Sequence, residues 1–165
     1  MSIDKQDFKA IFDQYYEVIR NFLYYKTGSM NVAEDITQDV FLKMWEKKEE
    51  IQQVSVKSLL YTIAGNLAIN HLKHQGVVYE FANRNIMHPA SESPEYVWQE
   101  KEFKIKLETV ISSLPENNRV VFLMNRIDQL TYNEIAERLG LSVKAVEKRM
   151  KKALETIVDE LGYKL

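Results

Sequence analysis

Apolar positions recur along this chain at the three-to-four spacing of helices rather than the alternation of strands. Between residues 7 and 25, Phe8, Ile11, Phe12, Tyr15, Ile19, Phe22 and Leu23 form one stripe. Gly28 and Ser29 interrupt it, and Asn31, three residues before Glu34, predicts a helix start with reciprocal capping. That second helix is expected to reach about Glu50, with Ile36, Val40, Phe41, Met44 and Trp45 inward. A third runs from about Ser55 to His74, with Leu59, Leu60, Ile63, Ala64 and Leu67 inward. Three such helices can close one small core.

The periodicity then fails. Val77, Val78, Tyr79 and Phe81 are followed by Asn83, Asn85, Pro89, Ser91, Ser93 and Pro94. A structureless run of that length is uncommon inside a compact domain, so it reads as an interdomain linker. Residues 96–111 are again amphipathic. Leu114-Pro115-Glu116 opens another helix, with proline tolerated in the first turn, and Val120, Val121, Leu123, Met124 and Ile127 carry it to about Asp128. The expectation is an all-α chain: two small helical domains, residues 1–75 and 96–165, joined by a flexible linker at 76–95.

The densest local signal follows. Thr131-Tyr132-Asn133-Glu134 fits a capping box, and the short helix behind it turns Ile135, Ala136 and Leu139 inward. Gly140 stands where the chain must reverse, and glycine takes the left-handed C-cap conformation without a steric penalty. Leu141 packs the turn and Ser142 can cap the next helix. That helix is expected to bury Val143, Val146, Met150, Ala153, Leu154 and Ile157, and to display Lys144, Glu147, Lys148, Lys151 and Lys152. Two helices, a glycine turn and a basic outer face predict a helix-turn-helix. The alternative is a helical hairpin with a solvated basic face.

Charge sharpens that choice. The whole chain has a net charge of −2, which does not advertise nucleic-acid binding. Between residues 142 and 152, however, Lys144, Lys148, Arg149, Lys151 and Lys152 stand against the single acid Glu147. Such a face suits phosphates, because neutralising them releases counterions.

Other chemistry is excluded or unsupported. The 165 residues contain no cysteine, so disulfides, thiol nucleophiles and Cys-based zinc sites are absent. His71, His74 and His88 form no HExxH pattern and read as polar surface. No nucleophile, base and orienting group assemble, so neither an enzyme nor a cofactor is expected. Five glycines and three prolines leave little material for a many-stranded fold. No signal-peptide or membrane-spanning apolar run occurs, which predicts a cytoplasmic protein without membrane insertion.

Two blocks carry a family resemblance. Leu114-Pro115-Glu116, Arg119-Val120-Val121-Phe122, the run from Glu134 to Ser142, Val146-Glu147 and Ala153-Leu154 together resemble region 4 of bacterial sigma factors. Independently, the run from Ala33 to Trp45 resembles regions 2.1–2.2, and that from Leu60 to Asn70 resembles regions 2.3–2.4. Having only these two domains is similar to the extracytoplasmic-function (ECF) subgroup of the sigma-70 family. Departures are Ala145 where the family commonly has Thr, Asn70 where Asp is frequent, and Gly65 in place of a usual Arg.

The resemblance implies a protein that directs core RNA polymerase to promoters and helps open them. Asp35, Gln38, Asp39, Leu42 and Glu46 share one face of the second helix. By resemblance this face meets the clamp helices of the polymerase beta-prime subunit, while region 4 meets the beta flap. Asn66, Asn70 and Lys73, with Gln52, Gln53, Val54 and Ser55 in the preceding loop, would recognise the −10 element of promoter DNA. Short amides suit base edges and lysine suits phosphate. Lys144, Glu147, Lys148, Lys151 and Lys152 would face the −35 element. Glu147 either accepts from a cytosine amino group or pairs with Lys151 along the helix. Arg149 lies off this face and is expected to pair with an acid. Tyr24, Tyr25 and Tyr61 are candidates for stacking on bases, although aromatics at helical spacing are more often core. An anti-sigma factor is a further expected partner. Against all this stand a stand-alone helix-turn-helix regulator and a helical adaptor with an incidental basic face.

Overall fold

The computed structural model describes residues 3–51, 55–72 and 94–162. Among these residues the chain forms seven helices and no strand: α1 Lys5–Thr27, α2 Met30–Glu46, α3 Val56–Leu72, α4 Pro94–Ser113, α5 Glu116–Arg126, α6 Tyr132–Leu139 and α7 Val143–Leu161. The all-α expectation holds. Gln52, Gln53, Val54, Lys73, His74 and His88, named above, lie outside the described residues.

Local signals set the helix ends. Asp4 and Asp7 cap the start of α1 reciprocally, at 2.8 and 3.2 Å. Gly28 ends it at φ 76°. Only Ser29 then remains before Met30, so the cap of α2 falls on Ser29, whose hydroxyl accepts from the Val32 amide at 3.4 Å. The expected cap, Asn31, sits inside the first turn instead. Ser29 takes the cap because it directly follows the left-handed Gly28 in extended backbone, with its hydroxyl in reach of the Val32 amide. The α4 helix begins at Pro94, two residues before the expected start of the second domain, and proline at a first helical position leaves no hydrogen bond unmade.

The first three helices pack as expected. Ile19, Phe22 and Leu23 of α1, Val40, Phe41 and Met44 of α2, and Leu60, Ile63 and Ala64 of α3 are all buried. Phe8, Phe12, Tyr16 and Phe41 form a chain of ring contacts, and Trp45 meets Phe8 edge-on at 5.1 Å. Tyr24, Tyr25 and Tyr61 are also core residues, each under 5% exposed. Stacking on bases is therefore closed to them in this structure.

The apolar cluster does not stop at α3. It continues without a break through Val120, Val121, Leu123 and Met124 of α5, Ile135 and Ala136 of α6, and Val146 and Met150 of α7. The α1 helix lies against α5, and α3 lies against α6. A smaller cluster of Val110, Leu114, Ala153 and Ile157 fastens α4 to α7.

In the turn from α5 to α6, Gln129 adopts φ 57°, a left-handed conformation that a side chain resists. Asn125 braces the turn by donating to the Leu130 carbonyl at 2.9 Å. Gln129→Gly should raise the unfolding free energy by about 1 kcal/mol, and Gly140→Ala, at φ 66°, should lower it by about 1 kcal/mol. Urea titrations of the two variants against the parent chain check both signs.

Candidate nucleic-acid and polymerase interfaces

The α6–turn–α7 unit is assembled as its sequence implies. Thr131 Oγ1 accepts from the Glu134 amide at 3.2 Å, and Glu134 accepts from the Thr131 amide at 2.8 Å. Gly140 closes α6 in the left-handed region, and Ser142 caps α7 by accepting from the Ala145 amide at 3.1 Å. On α7, Val146, Met150, Ala153 and Ile157 are buried. Val143, expected inward, is 36% exposed. It occupies the first position of α7, beside the entering turn, where there is no neighbouring turn above to cover it.

Lys144, Glu147, Lys148, Lys151 and Lys152 are all exposed on the opposite face. Lys151 pairs with Glu155, one turn further on, at 4.0 Å, so the expected alternative partner for Glu147 is engaged elsewhere. An exposed pair of that kind contributes little and gives way to a phosphate. Arg149 has no ion pair among the described residues, contrary to expectation. It is half-buried and points off the lysine face toward α3.

On α2, Asp35, Gln38, Asp39, Leu42 and Glu46 are all exposed, with Leu42 at 60%. Among the described residues the three acids of that face have no ion pair. A leucine left in water among uncompensated carboxylates has the anatomy of a docking surface rather than of a fold element.

On α3, Asn66 and Asn70 are exposed and Ser55 stands exposed before the helix, its hydroxyl accepting from the Ser58 amide at 3.4 Å. Ile69, between the two amides, is 48% exposed, which the sequence pattern did not single out. Asn66, Gly65 and Ile69 line a cleft of about 330 Å³ whose far wall is Arg138, Gly140 and Leu141 of the helix-turn-helix together with Arg149.

The helices around that cleft are tied by polar contacts. Arg119, only 2% exposed, donates from Nε to the Tyr25 carbonyl and from Nη2 to the Lys26 carbonyl, both at 2.8 Å. Its Nη1 donates to Leu114 and Ser112 carbonyls at 3.2 and 3.4 Å. Lys26 pairs with Glu116 at 2.5 Å, and Lys57 with Glu137 at 3.6 Å. The Tyr25 hydroxyl donates to Asp128 at 2.5 Å, and Arg138 reaches the Tyr61 hydroxyl at 3.4 Å. Among the described residues no group of acids and histidines could hold a metal ion, and no helix is long and apolar enough to cross a membrane.

Family comparisons agree with the two sequence blocks and their order. A model of sigma-70 region 2 matches residues 11–77, and a model of sigma-70 region 4 matches residues 104–157. The chain belongs to the sigma-70 family. This sigma-70 chain is 27% identical to the ferric citrate uptake sigma factor FecI of Escherichia coli over 90% of its length and 87% of that protein's. It is 27% identical to the RNA polymerase sigma factor YlaC of Bacillus subtilis over 90% and 88%. Its ECF relatives include SigW of Bacillus subtilis, 27% identical over 96% of this chain and 90% of SigW. The fold matches that of the sigma factor RpoE solved with the anti-sigma factor NepR from Bartonella quintana, with a TM-score of 0.63, 18% identity, and coverage of 97% and 99%. Promoter-specific initiation by RNA polymerase is thus the process this sigma-70 chain serves.

Burial raises the Asp128 carboxyl above its ordinary range, while the Tyr25 hydroxyl and Arg138 pull it back. A carboxyl raised by folding binds its proton more tightly in the folded state. Its contribution to stability is therefore full below the ordinary carboxylate pKa and is lost as pH rises through the raised value. Asp128→Asn removes the buried charge and keeps an acceptor for Tyr25. The variant should melt above the parent at neutral pH, and the gap should close as pH falls below about 4. Thermal melts across pH check this, and equal melting temperatures at neutral pH would contradict it.

Proposed function

We propose that residues 1–75 act as the region 2 unit, residues 96–165 as the region 4 unit and 76–95 as the connection between them. Region 2 grips core RNA polymerase and the opened −10 strand, and region 4 lays α7 on the −35 duplex. The observation that carries this reading is the sorting of exposed faces: a lysine face on α7, an acidic face around Leu42 on α2, and an amide face on α3. Each has the chemistry its target needs. Lysines neutralise phosphate, carboxylates and one leucine suit a basic and apolar protein groove, and asparagines match base edges.

In this scheme Asp35, Gln38, Asp39, Leu42 and Glu46 meet the clamp helices of the beta-prime subunit, and region 4 also meets the beta flap. Asn66 and Asn70, with Lys73, Gln52, Gln53 and Ser55, take the −10 element. Extruding a base from the stack costs a few kcal/mol, which stacking and edge contacts must offset. Lys144, Lys148, Lys151 and Lys152 hold −35 phosphates, and Glu147 reads a cytosine amino group. An anti-sigma factor is the natural inhibitor, since two fold relatives, RpoE and CnrH, were solved with anti-sigma partners NepR and the cytosolic domain of CnrY.

Run-off transcription with purified core polymerase on a promoter library tests the proposal. Specific transcripts should depend on this chain, and Lys148→Glu and Lys152→Glu should each lower their yield roughly ten-fold or more through lost phosphate contacts. Asn66→Ala should weaken promoter opening, read by permanganate reactivity, more than recruitment. Gel shifts separate the rival readings. Strong duplex binding without core would mark a stand-alone regulator, and indifference of every readout to the lysine reversals would mark an adaptor.

A further inference from the structure

A helix lying on duplex reads sequence only through groups that touch base edges, because phosphate contacts set position and carry no sequence information. Over residues 143–152 of α7 the exposed side chains are Val143, Lys144, Glu147, Lys148, Lys151 and Lys152. The four lysines are the phosphate-holding cations of the reading given above. Only Glu147 and Val143 remain to carry sequence. One carboxylate specifies one base pair, which is too little to define an element.

We propose that Val143 is a specificity-determining residue, packing its methyl groups on the 5-methyl group of a thymine in the −35 element. The proposal rests on the reading of α7 as the −35 helix. Position, direction and chemistry each support it.

Val143 is the first residue of α7, and the N-terminal residues of a recognition helix are those that reach base edges. This end is fixed in the free chain: Gly140 turns the backbone at φ 66°, and Ser142 accepts from the Ala145 amide at 3.1 Å. Successive helical residues turn by about 100°, so Val143 lies about 40° from Glu147 around the axis, one turn earlier. It therefore stands at the edge of the charged face, beside Glu147, and shares that residue's outlook.

A lone exposed valine is ordinary on a protein surface. Val143 differs in serving neither the core nor the helix. It packs in neither apolar cluster, is 36% exposed, and is the one large apolar side chain exposed on α7 among the described residues. Its β-branch also makes it a poorer helix former than alanine. A side chain with no donor or acceptor can recognise only an apolar group. In the major groove of unmodified DNA that group is the thymine methyl, which no other base presents.

Val143 and Glu147 are about 6 Å apart along the helix axis, or about two base-pair steps of about 3.4 Å. The thymine therefore lies within two base pairs of the cytosine that Glu147 reads. Burying one methyl group is worth roughly four-fold in affinity.

Selection of initiating promoters from a library randomised across the −35 element, using core polymerase and the full chain, locates the base. The parent should select a thymine that Val143→Ala no longer selects. Uracil lacks only the 5-methyl group, and placing it at that position should weaken parent holoenzyme roughly four-fold in competition gel shifts. The Val143→Ala holoenzyme should bind thymine and uracil promoters equally, while Val143→Ile, which keeps the methyl surface, should retain the preference. Alanine at an exposed helical position favours the helix, so its effect reports the contact and not the fold. No selected thymine, a thymine that uracil replaces without loss, or a preference that survives Val143→Ala overturns the assignment. A library that yields no −35 consensus counts against the promoter reading itself, whereas a consensus without this thymine sinks Val143 alone.

Discussion

A buried guanidinium organises the meeting of the two halves of this protein. Burying a lone charge costs several kcal/mol unless it is neutralised and hydrogen-bonded. Arg119 satisfies the requirement with carbonyls rather than by placement alone. Tyr25 and Lys26 supply the end of α1, while Ser112 and Leu114 supply the end of α4 and the residue just beyond. Helix C-termini leave their last carbonyls without intrahelical partners and carry a partial negative charge. Two such ends converge on one cation, so α1, α4 and α5 are fixed at a single point. The continuous apolar cluster from α1 to α7 then packs around that point.

The outer surface is organised by the opposite rule. Where the seam pairs its charges, the outward faces of α2 and α7 leave theirs to solvent. Asp35, Asp39 and Glu46 have no ion pair among the described residues, and on α7 only Lys151 is paired, through an exposed contact to Glu155. Unpaired surface charges contribute little to stability and some repulsion, but they keep their full attraction for a partner of opposite sign. Acid on the region 2 side and base on the region 4 side would draw the two halves toward different targets. A chain whose net charge is only −2 thus carries two fields that nearly cancel in the sum and do not cancel in space.

How much of this was legible depends on range along the chain. The capping boxes and glycine turns act over three or four residues, so Thr131–Glu134, Gly140 and Ser142 could be read directly. The lysine face of α7 could be read too, because its buried stripe fixes the opposite side. Misreadings fell where a neighbour decided the outcome. Asn31 lost the cap to Ser29, which directly follows the left-handed turn at Gly28 and reaches the Val32 amide, and Val143, at the first position of α7, stayed exposed. The seam was out of reach. Tyr25 meets Asp128 across 103 positions and Arg119 across 94, and no periodicity encodes such pairings. One clue was present: Arg119 lies four residues before Leu123, on the apolar stripe of α5, where an ordinary surface arginine does not belong.

The chemistry of the seam also bears on whether it can part. Between the halves, apolar contact is supplemented by side-chain pairs and carbonyl bonds, a mixture typical of separable interfaces rather than of a permanent core. Water can replace each polar partner on separation, and the released carbonyls of α1 return to the solvent exposure usual at a helix end. Apolar burial resists opening in proportion to area, whereas polar links resist it through geometry and yield when a competing partner supplies equivalent bonds. A restraint of the second kind supplements the apolar contact at this joint. Arg119, Lys26, Glu116, Tyr25 and Asp128 supply that restraint at one edge of the joint, where α1 ends.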